Sequence, residues 1–294
     1  RVCGFPPPTS GGVTTLQILK LLERFSNEQL QPGTTSQRQL FTQASRLAYA
    51  DRARYLADSD FVDVPVKALL DTHYLQQRSQ LIATDQDMGK AEAGQPDRVL
   101  SRADDRSPEL PSTSHFVILD KWGNAVSMTS SIEMAFGSTL MAGGFLLNNQ
   151  LTDFSFVASQ NGKPIANRVE AGKRPRSSMS PIMVFDQNNQ LISALGSPGG
   201  SRIISYVAES LLVKLTSDIS LQQSFELPHV VNRNGTTELE AGTSAEQLAQ
   251  PLQELGHQIK VRELNSGLHG FYRSSGGPWE SAVDPRREGS AMGN

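Results

Sequence analysis

Thr113 is the residue whose surroundings suggest nucleophilic chemistry most directly. It lies in the run Leu110–Phe116, after a polar stretch and two residues before a predicted strand. By itself this is the position of an ordinary turn or packing residue. If the peptide bond between Ser112 and Thr113 were cut, however, the new α-amine of Thr113 would stand beside its own hydroxyl and could act as its general base. A single residue would then supply both the nucleophile and the base.

Gly199 and Gly200 are the second feature with chemical potential. They lie in the run Gly196–Ile203, and an apolar stretch with helical spacing follows. Backbone N–H groups at the start of a helix, unobstructed by side chains, can stabilise a developing oxyanion. A glycine turn that only leads into a helix explains the same residues, so both interpretations remain open. A phosphate-binding loop is disfavoured because the run lacks Gly-Lys-Ser/Thr and the spacing of a dinucleotide-binding loop.

The first part of the chain is predicted to be helical. From Thr9 to about Ile82 the apolar residues recur at helical spacing, which predicts three helices. Between Ala83 and Ser112 the chain becomes polar, with few large apolar residues, and we predict an exposed, flexible segment there. A boundary in this segment therefore divides the chain into residues 1–112 and 113–294.

Paired strands are predicted beyond this boundary. His115–Asp120 and Ala125–Thr129 flank a Trp-Gly-Asn turn, and Ile182–Phe185 and Leu191–Ala194 flank a second polar turn. Each pair has the alternation and the turn chemistry of a β-hairpin.

The last part of the chain predicts further elements and a tail. After the apolar helix over Ile203–Leu215, an amphipathic helix is predicted over Thr243–Leu255, capped by Thr243 or Ser244. A strand over His257–Val261 follows, and the tail is predicted to end in loops. Helices first and paired strands later give an α+β pattern.

The composition is that of a globular chain and excludes several kinds of partner. Hydrophobic residues make up 37% and charged residues 19% of the 294 residues, so neither disorder nor a membrane class is favoured. A net charge of -3 gives no electrostatic reason to expect nucleic acid. Cys3 is the only cysteine, which excludes an internal disulfide, and with five scattered histidines we predict no metal centre and no cofactor. No apolar run approaches the roughly 20 residues that a membrane span needs.

Several segments, in the same order over nearly the whole chain, resemble the γ-glutamyltransferase family. The opening segment is similar to the end of the family's large subunit, and the others are similar to the small subunit. Any one of them alone is weak evidence, and their common order is strong evidence. The segments are Pro6–Gly12, Thr113–Phe116, Asp120–Val126, Phe136–Gly137, Leu146–Ser155, Lys173–Pro181, Gly196–Ile203 and Asp284–Gly289.

The resemblance implies a four-layer αββα sandwich of the N-terminal-nucleophile hydrolase type, made as one precursor that cleaves itself. The Thr113 hydroxyl would attack the carbonyl of Ser112, the acyl group would shift from nitrogen to oxygen, and water would hydrolyse the ester. Residues 1–112 would then be the carboxy-terminal part of the large subunit, and residues 113–294 the small catalytic subunit. A flexible segment ahead of Thr113 suits this step, because the new end must move away to admit substrate.

The resemblance also implies the reaction and assigns the site residues. The same hydroxyl would attack the γ-carbonyl of a glutathione-type donor, and the resulting ester would pass to water or to an amino-acid or dipeptide amine. Ser131 would orient the nucleophile, the two glycines would bind the oxyanion, the paired serines would contact the donor's α-carboxylate, and the remaining residues would hold its amino-acid end and ammonium. The implied catalytic residues are Thr113, Ser131, Gly199 and Gly200, and the implied substrate-binding residues are Glu133, Gln150, Asp153, Ser177 and Ser178.

Two departures from the family pattern bear on the substrate. Glu133 stands where the family usually has an asparagine, and it adds a second negative charge near Asp153. This could strengthen an ammonium site or indicate another acyl group. The loop between Asp153 and Ser177 is short for the family, and residues 157–176 contain no aromatic side chain that could form a lid. We therefore expect an open site in which hydrolysis competes well with transfer.

Two other functions remain open from the sequence. One is a related acylase that uses the same chemistry on another amide such as a glutaryl-β-lactam, and Glu133 is the feature that allows it. The other is a processing-dead homologue that acts as a binding protein. For His115, next to the nucleophile, we predict a structural role, because an amino-terminal threonine needs no separate base.

A missing part is also expected. The chain begins without methionine in a Pro-rich turn, and we expect the polypeptide to start further upstream. The family's main carboxylate-binding arginine lies in that upstream half, and none of Arg174, Arg176 and Arg202 matches it. The upstream part of the large subunit is therefore a predicted partner, and this chain alone is expected to be inactive. By family analogy we expect a periplasmic or secreted protein.

Overall fold

The computed structural model describes residues 1–96, 101–105, 107, 113–274 and 276–293. The first 96 residues contain four helices rather than the predicted three. The Asp71 side chain accepts a hydrogen bond from the Tyr74 amide at 3.0 Å, and this cap starts a new helix where one continuous helix was predicted. The helices are α1 Gly11–Leu22, α2 Thr35–Tyr55, α3 Val66–Leu69, α4 Thr72–Ser79, α5 Ile203–Thr216, α6 Leu221–Glu226 and α7 Ala249–Glu254.

The strands form one central sheet and several smaller ones. They are β1 Val2–Gly4, β2 Ser114–Leu119, β3 Ala125–Ser130, β4 Met141–Ala142, β5 Phe145–Leu146, β6 Ser159–Gln160, β7 Lys163–Pro164, β8 Ile182–Phe185, β9 Leu191–Gly196, β10 Val230–Asn232, β11 Thr237–Glu240, β12 Ile259–Arg262, β13 His269–Tyr272 and β14 Glu280–Val283. The central sheet has the order β1-β8-β9-β13-β14, and all its neighbours are antiparallel. The pairings β2–β3 and β8–β9 confirm the two predicted hairpins.

The described residues after Val283 are loops, as predicted, but the sequence did not predict the two strands that precede them. Strand β13 lies between β9 and β14 inside the central sheet, so the end of the chain supplies two of its five strands. The predicted helix over Thr243–Leu255 is divided into a 3₁₀ turn, Ser244–Leu248, and α7. Thr243 caps it as predicted, because its side chain accepts from the Ala245 amide at 3.2 Å. The sequence did not predict β1, β10 and β11.

The central sheet separates helices from the β2–β3 hairpin. On one face, apolar side chains of β8 and β9 pack against α5 and α6 in a common core. Helices α1 and α2 pack against each other and against α5 in a second core. On the other face, the hairpin contacts the sheet, with the Ser127 hydroxyl donating to the Leu195 carbonyl at 3.3 Å. The nucleophile candidate therefore lies on a hairpin that a buried sheet supports.

The hairpin has an apolar face that points away from the central sheet. Phe116 pairs with Met128 and Ile118 with Val126 across the two strands, and all four side chains are between 41% and 54% exposed. We call these four residues the outer hairpin face. Such a cluster of exposed apolar side chains is typical of a surface that another element covers.

Several described residues of the segment predicted to be exposed and flexible have polar partners on other elements. The Asp105 carboxylate is buried and lies 2.9 Å from the Arg176 guanidinium. The Gly94 amide donates to the Asp51 carboxylate at 2.8 Å, and Asp87 pairs with Arg46 at 2.9 Å. For these residues the prediction is wrong, because buried polar partners on other elements hold a sequence that looks solvated. Ser112, the residue before the predicted cleavage, lies outside the described residues.

Candidate active site

The β2–β3 register brings Thr113 next to Ser131. Ser114 pairs with Ser130, so the residues just beyond the strand ends lie opposite each other. The Thr113 hydroxyl donates to the Ser131 hydroxyl oxygen at 3.2 Å. The Glu133 amide donates to the same oxygen at 2.9 Å. Ser131 is thereby fixed by two donors, and it in turn orients the Thr113 hydroxyl.

A small, open pocket lies beside Thr113. Of the site residues predicted from the sequence, the structure brings eight together in its wall and leaves out Gly199, whereas Ser112 is not described. Arg176, Met179, Ser201 and Ile203 also line the pocket, and the sequence did not single them out as site residues. The eight are Thr113, Ser131, Glu133, Gln150, Asp153, Ser177, Ser178 and Gly200.

One end of the pocket is acidic. The Gln150 side-chain amide donates to the Glu133 carboxylate at 3.1 Å and also to the Asp153 carboxylate, so it bridges the two acids. Glu133 is buried and has a φ of 75°, which is uncommon for a residue with a side chain. Asn167 donates to the Asp153 carbonyl at 2.7 Å and holds that turn in place. Two carboxylates at one end of a small pocket suit a cationic group.

The paired serines line the same pocket. The Ser177 carbonyl accepts from the Ser10 amide at 2.9 Å and from the Ser10 hydroxyl at 2.7 Å. Ser178 accepts from the Arg52 guanidinium at 2.7 Å. Sequence reasoning missed Ser10 and Arg52 as neighbours of the site. The only signal for them was the family-like segment Pro6–Gly12, which carried no stated role.

The glycine turn before α5 requires residues without side chains. Gly199 has a φ of 134° and Gly200 a φ of 61°, both in a region that residues with side chains rarely adopt. A Cβ on Gly199 would also lie 2.7 Å from the Tyr206 ring. Gly200 lines the pocket, and the 3₁₀ turn Gly200–Arg202 leads into α5. The turn therefore places the Gly200 backbone in the wall of the pocket that Thr113 also lines.

Two other residues near Thr113 have structural contacts. His115 is buried, and its Nδ1 lies 2.9 Å from the Thr129 hydroxyl. Burial, reinforced by the charge of His269, lowers the pKa of His115 to about 3, so its ring is neutral near pH 7. His115 does not line the pocket, in agreement with a structural role. Arg287, which the sequence did not indicate, donates to the Thr113 carbonyl at 3.3 Å.

Among the described residues, no group of three or more His, Cys, Asp or Glu side chains is arranged to hold a metal ion. None of the described helices combines the length and the apolar character needed to cross a membrane.

Comparison with solved structures defines the class. The chain superposes over 100% of its length, with a TM-score of 0.83 and 23% identity, on 52% of the crystal structure of a cephalosporin acylase from Bacillus halodurans. It also matches a γ-glutamyltranspeptidase from Pseudomonas nitroreducens complexed with L-DON, with a TM-score of 0.53 and 32% identity, over 61% of this chain and 98% of that one. The fold is α+β, of the N-terminal-nucleophile hydrolase type.

Comparison of sequences defines the family. The family model described as Gamma-glutamyltranspeptidase matches residues 1–294, and the chain belongs to this family. It is 35% identical to the glutathione hydrolase proenzyme of Bacillus subtilis strain 168, over 100% of this chain and 51% of that protein. It is 33% identical to the acylase ACY 1 proenzyme of Pseudomonas sp. strain V22, over 99% of this chain and 50% of that protein. The chain therefore spans about half the length of these curated relatives, and the predicted family is confirmed.

Proposed function

We propose that the protein carrying this chain transfers or hydrolyses γ-glutamyl groups of glutathione-type donors through an ester on Thr113. The observation that carries the proposal is the composition of one pocket wall, in which the nucleophile lies with two carboxylates and two serine hydroxyls. A γ-glutamyl donor has an α-ammonium and an α-carboxylate, and both need partners when they leave water. The acidic pair suits the first group and the paired serines suit the second.

The nucleophile is generated by cleavage between Ser112 and Thr113. In this proposal the Thr113 hydroxyl attacks the Ser112 carbonyl, and the acyl group shifts from nitrogen to oxygen, which frees the Thr113 α-amine. Water then hydrolyses the ester to a Ser112 carboxylate and the Thr113 hydroxyl. Both curated relatives named above are proenzymes, which supports processing. The solved γ-glutamyltranspeptidase chain matches 61% of this chain over 98% of its own length, which is close to the share that residues 113–294 occupy. This supports a subunit boundary at Thr113, with residues 1–112 belonging to the large subunit.

The catalytic cycle then uses the new amine as general base. The amine takes the proton of the Thr113 hydroxyl, the oxygen attacks the γ-carbonyl, and amides of Gly199 and Gly200 stabilise the tetrahedral oxyanion. The ammonium returns its proton to the leaving amine as the carbon–nitrogen bond breaks. Water or an acceptor amine attacks the ester next, and the free hydroxyl is restored. The lack of aromatic residues in positions 157–176 supports ready access of water.

The acylase alternative is the second candidate, because one relative is an acylase and Glu133 replaces the usual asparagine. A glutaryl group has no α-ammonium, so it offers no cation for Glu133 and Asp153 to bind. The acidic pair therefore favours the γ-glutamyl donor.

The upstream part of the large subunit is the proposed partner of this chain. In this proposal the upstream part covers the outer hairpin face. Two observations support it: the four apolar side chains of that face are exposed here, and the curated relative from Bacillus subtilis is about twice as long as this chain. Export to the periplasm or medium is proposed on family analogy alone, and cell fractionation would test it.

Paired donors test the proposed function. The full-length protein is assayed with γ-glutamyl-p-nitroanilide and with glutaryl-p-nitroanilide, which differ only in the α-ammonium. We expect the γ-glutamyl donor to be preferred at least tenfold in kcat/KM, and activity to vanish in Thr113→Ala. Preference for the glutaryl donor would instead establish an acylase. Absence of both turnover and an ester adduct would indicate a binding protein.

A further inference from the structure

Arg52 lies directly behind the paired serines of the pocket. It is a residue of α2, only 5% exposed, and it is absent from the pocket lining. Its Nε donates to the Ser10 hydroxyl at 2.8 Å and its Nη2 donates to the Ser178 hydroxyl at 2.7 Å. One guanidinium therefore holds two serines from different parts of the chain. Because Arg52 does not line this pocket, its direct link to a bound substrate is the Ser178 hydroxyl.

Ser10 ties the same guanidinium to the backbone of the serine pair. Ser10 is fully buried, and its amide and hydroxyl both donate to the Ser177 carbonyl. The Thr9 hydroxyl donates to the Met179 carbonyl at 2.7 Å. A Cβ on Gly11 would clash with the Met179 carbonyl, so the two segments touch through their backbones. The segment Thr9–Gly11 and Arg52 thus clamp residues 177–179 from the side opposite the pocket.

The contact with Arg52 decides what the Ser178 hydroxyl can offer a ligand. A serine hydroxyl has one hydrogen, and a guanidinium can only donate. Because Ser178 accepts from Arg52, its own hydrogen must point elsewhere. Among the described residues, the structure gives the Ser178 hydroxyl no hydrogen-bond partner besides Arg52. The hydroxyl, which lines the pocket, is therefore set as a donor toward an anionic group there, and the charge of Arg52 favours such a group.

We propose that Arg52, acting through Ser10 and Ser178, is a positioning residue that sets the paired serines as donors to the α-carboxylate of the substrate. This inference rests on the proposed γ-glutamyl function. It identifies, within this chain, a buried cation that serves the carboxylate end of the site without contacting the substrate.

The test compares Arg52→Lys with Arg54→Lys in the full-length protein. Lysine keeps the charge but cannot donate from two positions of a rigid fork. Arg54 is on the same helix and pairs with Asp104 at 2.8 Å, away from the serines, so it is the matched control. For γ-glutamyl-p-nitroanilide we expect Arg52→Lys to raise KM about tenfold or more, with kcat within about twofold of wild type. For 4-aminobutyryl-p-nitroanilide, which lacks the α-carboxylate, KM should not change.

A double variant shows whether the effect passes through Ser178. Adding Arg52→Lys to Ser178→Ala should change KM by less than about twofold, because the hydroxyl that Arg52 orients is already gone. Independent, multiplying effects would overturn the inference, as would Arg52→Lys kinetics equal to those of Arg54→Lys. An equal rise in KM for both donors would also overturn it.

If Arg52→Lys does not fold, Ser10→Ala provides a second test. This variant removes the hydroxyl that accepts from the Arg52 Nε and that donates to the Ser177 carbonyl, and circular dichroism would confirm that it folds. We expect the same donor-selective rise in KM, and an unchanged KM would refute the clamp. If the wild-type protein turns over neither donor, the proposed function fails and this inference fails with it. If wild type is active and the variants are not selective, only the role of Arg52 fails.

Discussion

Glu133 is the residue on which substrate identity depends most. It shares the Gln150 side-chain amide with Asp153, so two carboxylates face one small volume. A cation that occupies this volume would be attracted by both carboxylates. The same residue that made the sequence ambiguous therefore becomes, in the structure, an argument for a donor with an ammonium group.

Glu133→Gln should weaken binding of donors with an α-ammonium. Glutamine keeps the shape and can still hydrogen-bond, but the charge is lost, and a hydrogen bond to a charged group contributes roughly 1.5–3 kcal/mol. We expect KM for γ-glutamyl-p-nitroanilide to rise about tenfold or more, and KM for glutaryl-p-nitroanilide to stay the same or fall. Steady-state kinetics would show it, with exposed Glu254→Gln as control. Equal changes for both donors would remove Glu133 from the ammonium site.

Residue identities could be predicted to the extent that they lie in family-like segments. Eight of the nine predicted catalytic and substrate-binding residues line one pocket. Arg52 and Ser10 could not be found in this way, because the periodicity of a helix does not show which of its buried polar residues contacts a distant loop. Their contacts join positions 42 and 126 residues apart along the chain. Only the tertiary structure supplies that information.

At the scale of elements, the hairpin is joined to the sheet by a close contact between His115 and Gly196. A Cβ on Gly196 would lie 2.3 Å from the His115 ring. We expect Gly196→Ala to lower the free energy of unfolding by about 1–3 kcal/mol, since the ring or the strand must shift. Urea unfolding would measure it. Gly235→Ala is the matched control, because nothing lies within 4 Å of that Cβ, and an equal loss there would contradict the contact.

The same contact predicts a pH dependence of stability. The pKa of His115 is about 3 in the folded chain, against about 6.5 for an unfolded histidine. Between these values the unfolded chain binds a proton that the folded chain does not, so stability falls as pH decreases from about 6.5 to 3. We expect His115→Gln to reduce this slope without abolishing it, because burial also lowers the pKa of His229. Thermal unfolding of His115→Gln at several pH values tests this, with the exposed His73→Gln as control. If both variants keep the wild-type slope of stability against pH, the prediction is contradicted.

A helix or strand could be predicted when the residues that determine it are close together in the sequence. The hairpins around 120–124 and 186–190 were predicted because alternation and turn residues occur together in the sequence. Strands β13 and β14 were missed because they are short, and because β13, with which β14 pairs, is itself paired with β9, more than 70 residues away in sequence. Helix α2 shows the same limit, since its many buried polar residues have partners that the sequence does not reveal.

At the scale of the whole molecule, the outer hairpin face should be buried in the full-length protein. If the upstream part covers it, Ile118→Lys would bury an unpaired charge at a cost of several kcal/mol. We expect a clear fall in Tm of the full-length protein. Trp122→Lys, in the turn of the same hairpin and 77% exposed, is the control and should change Tm little. Tolerance of Ile118→Lys would mean that this face stays in water.

The central claim is that Thr113 becomes an amino terminus and then carries the acyl group. Intact mass measurement with amino-terminal sequencing of purified, active full-length protein tests it most directly. We predict a chain that begins at Thr113 with a free α-amine, and a single uncut chain in Thr113→Ala. Fully active protein in which the bond between Ser112 and Thr113 is intact would contradict this.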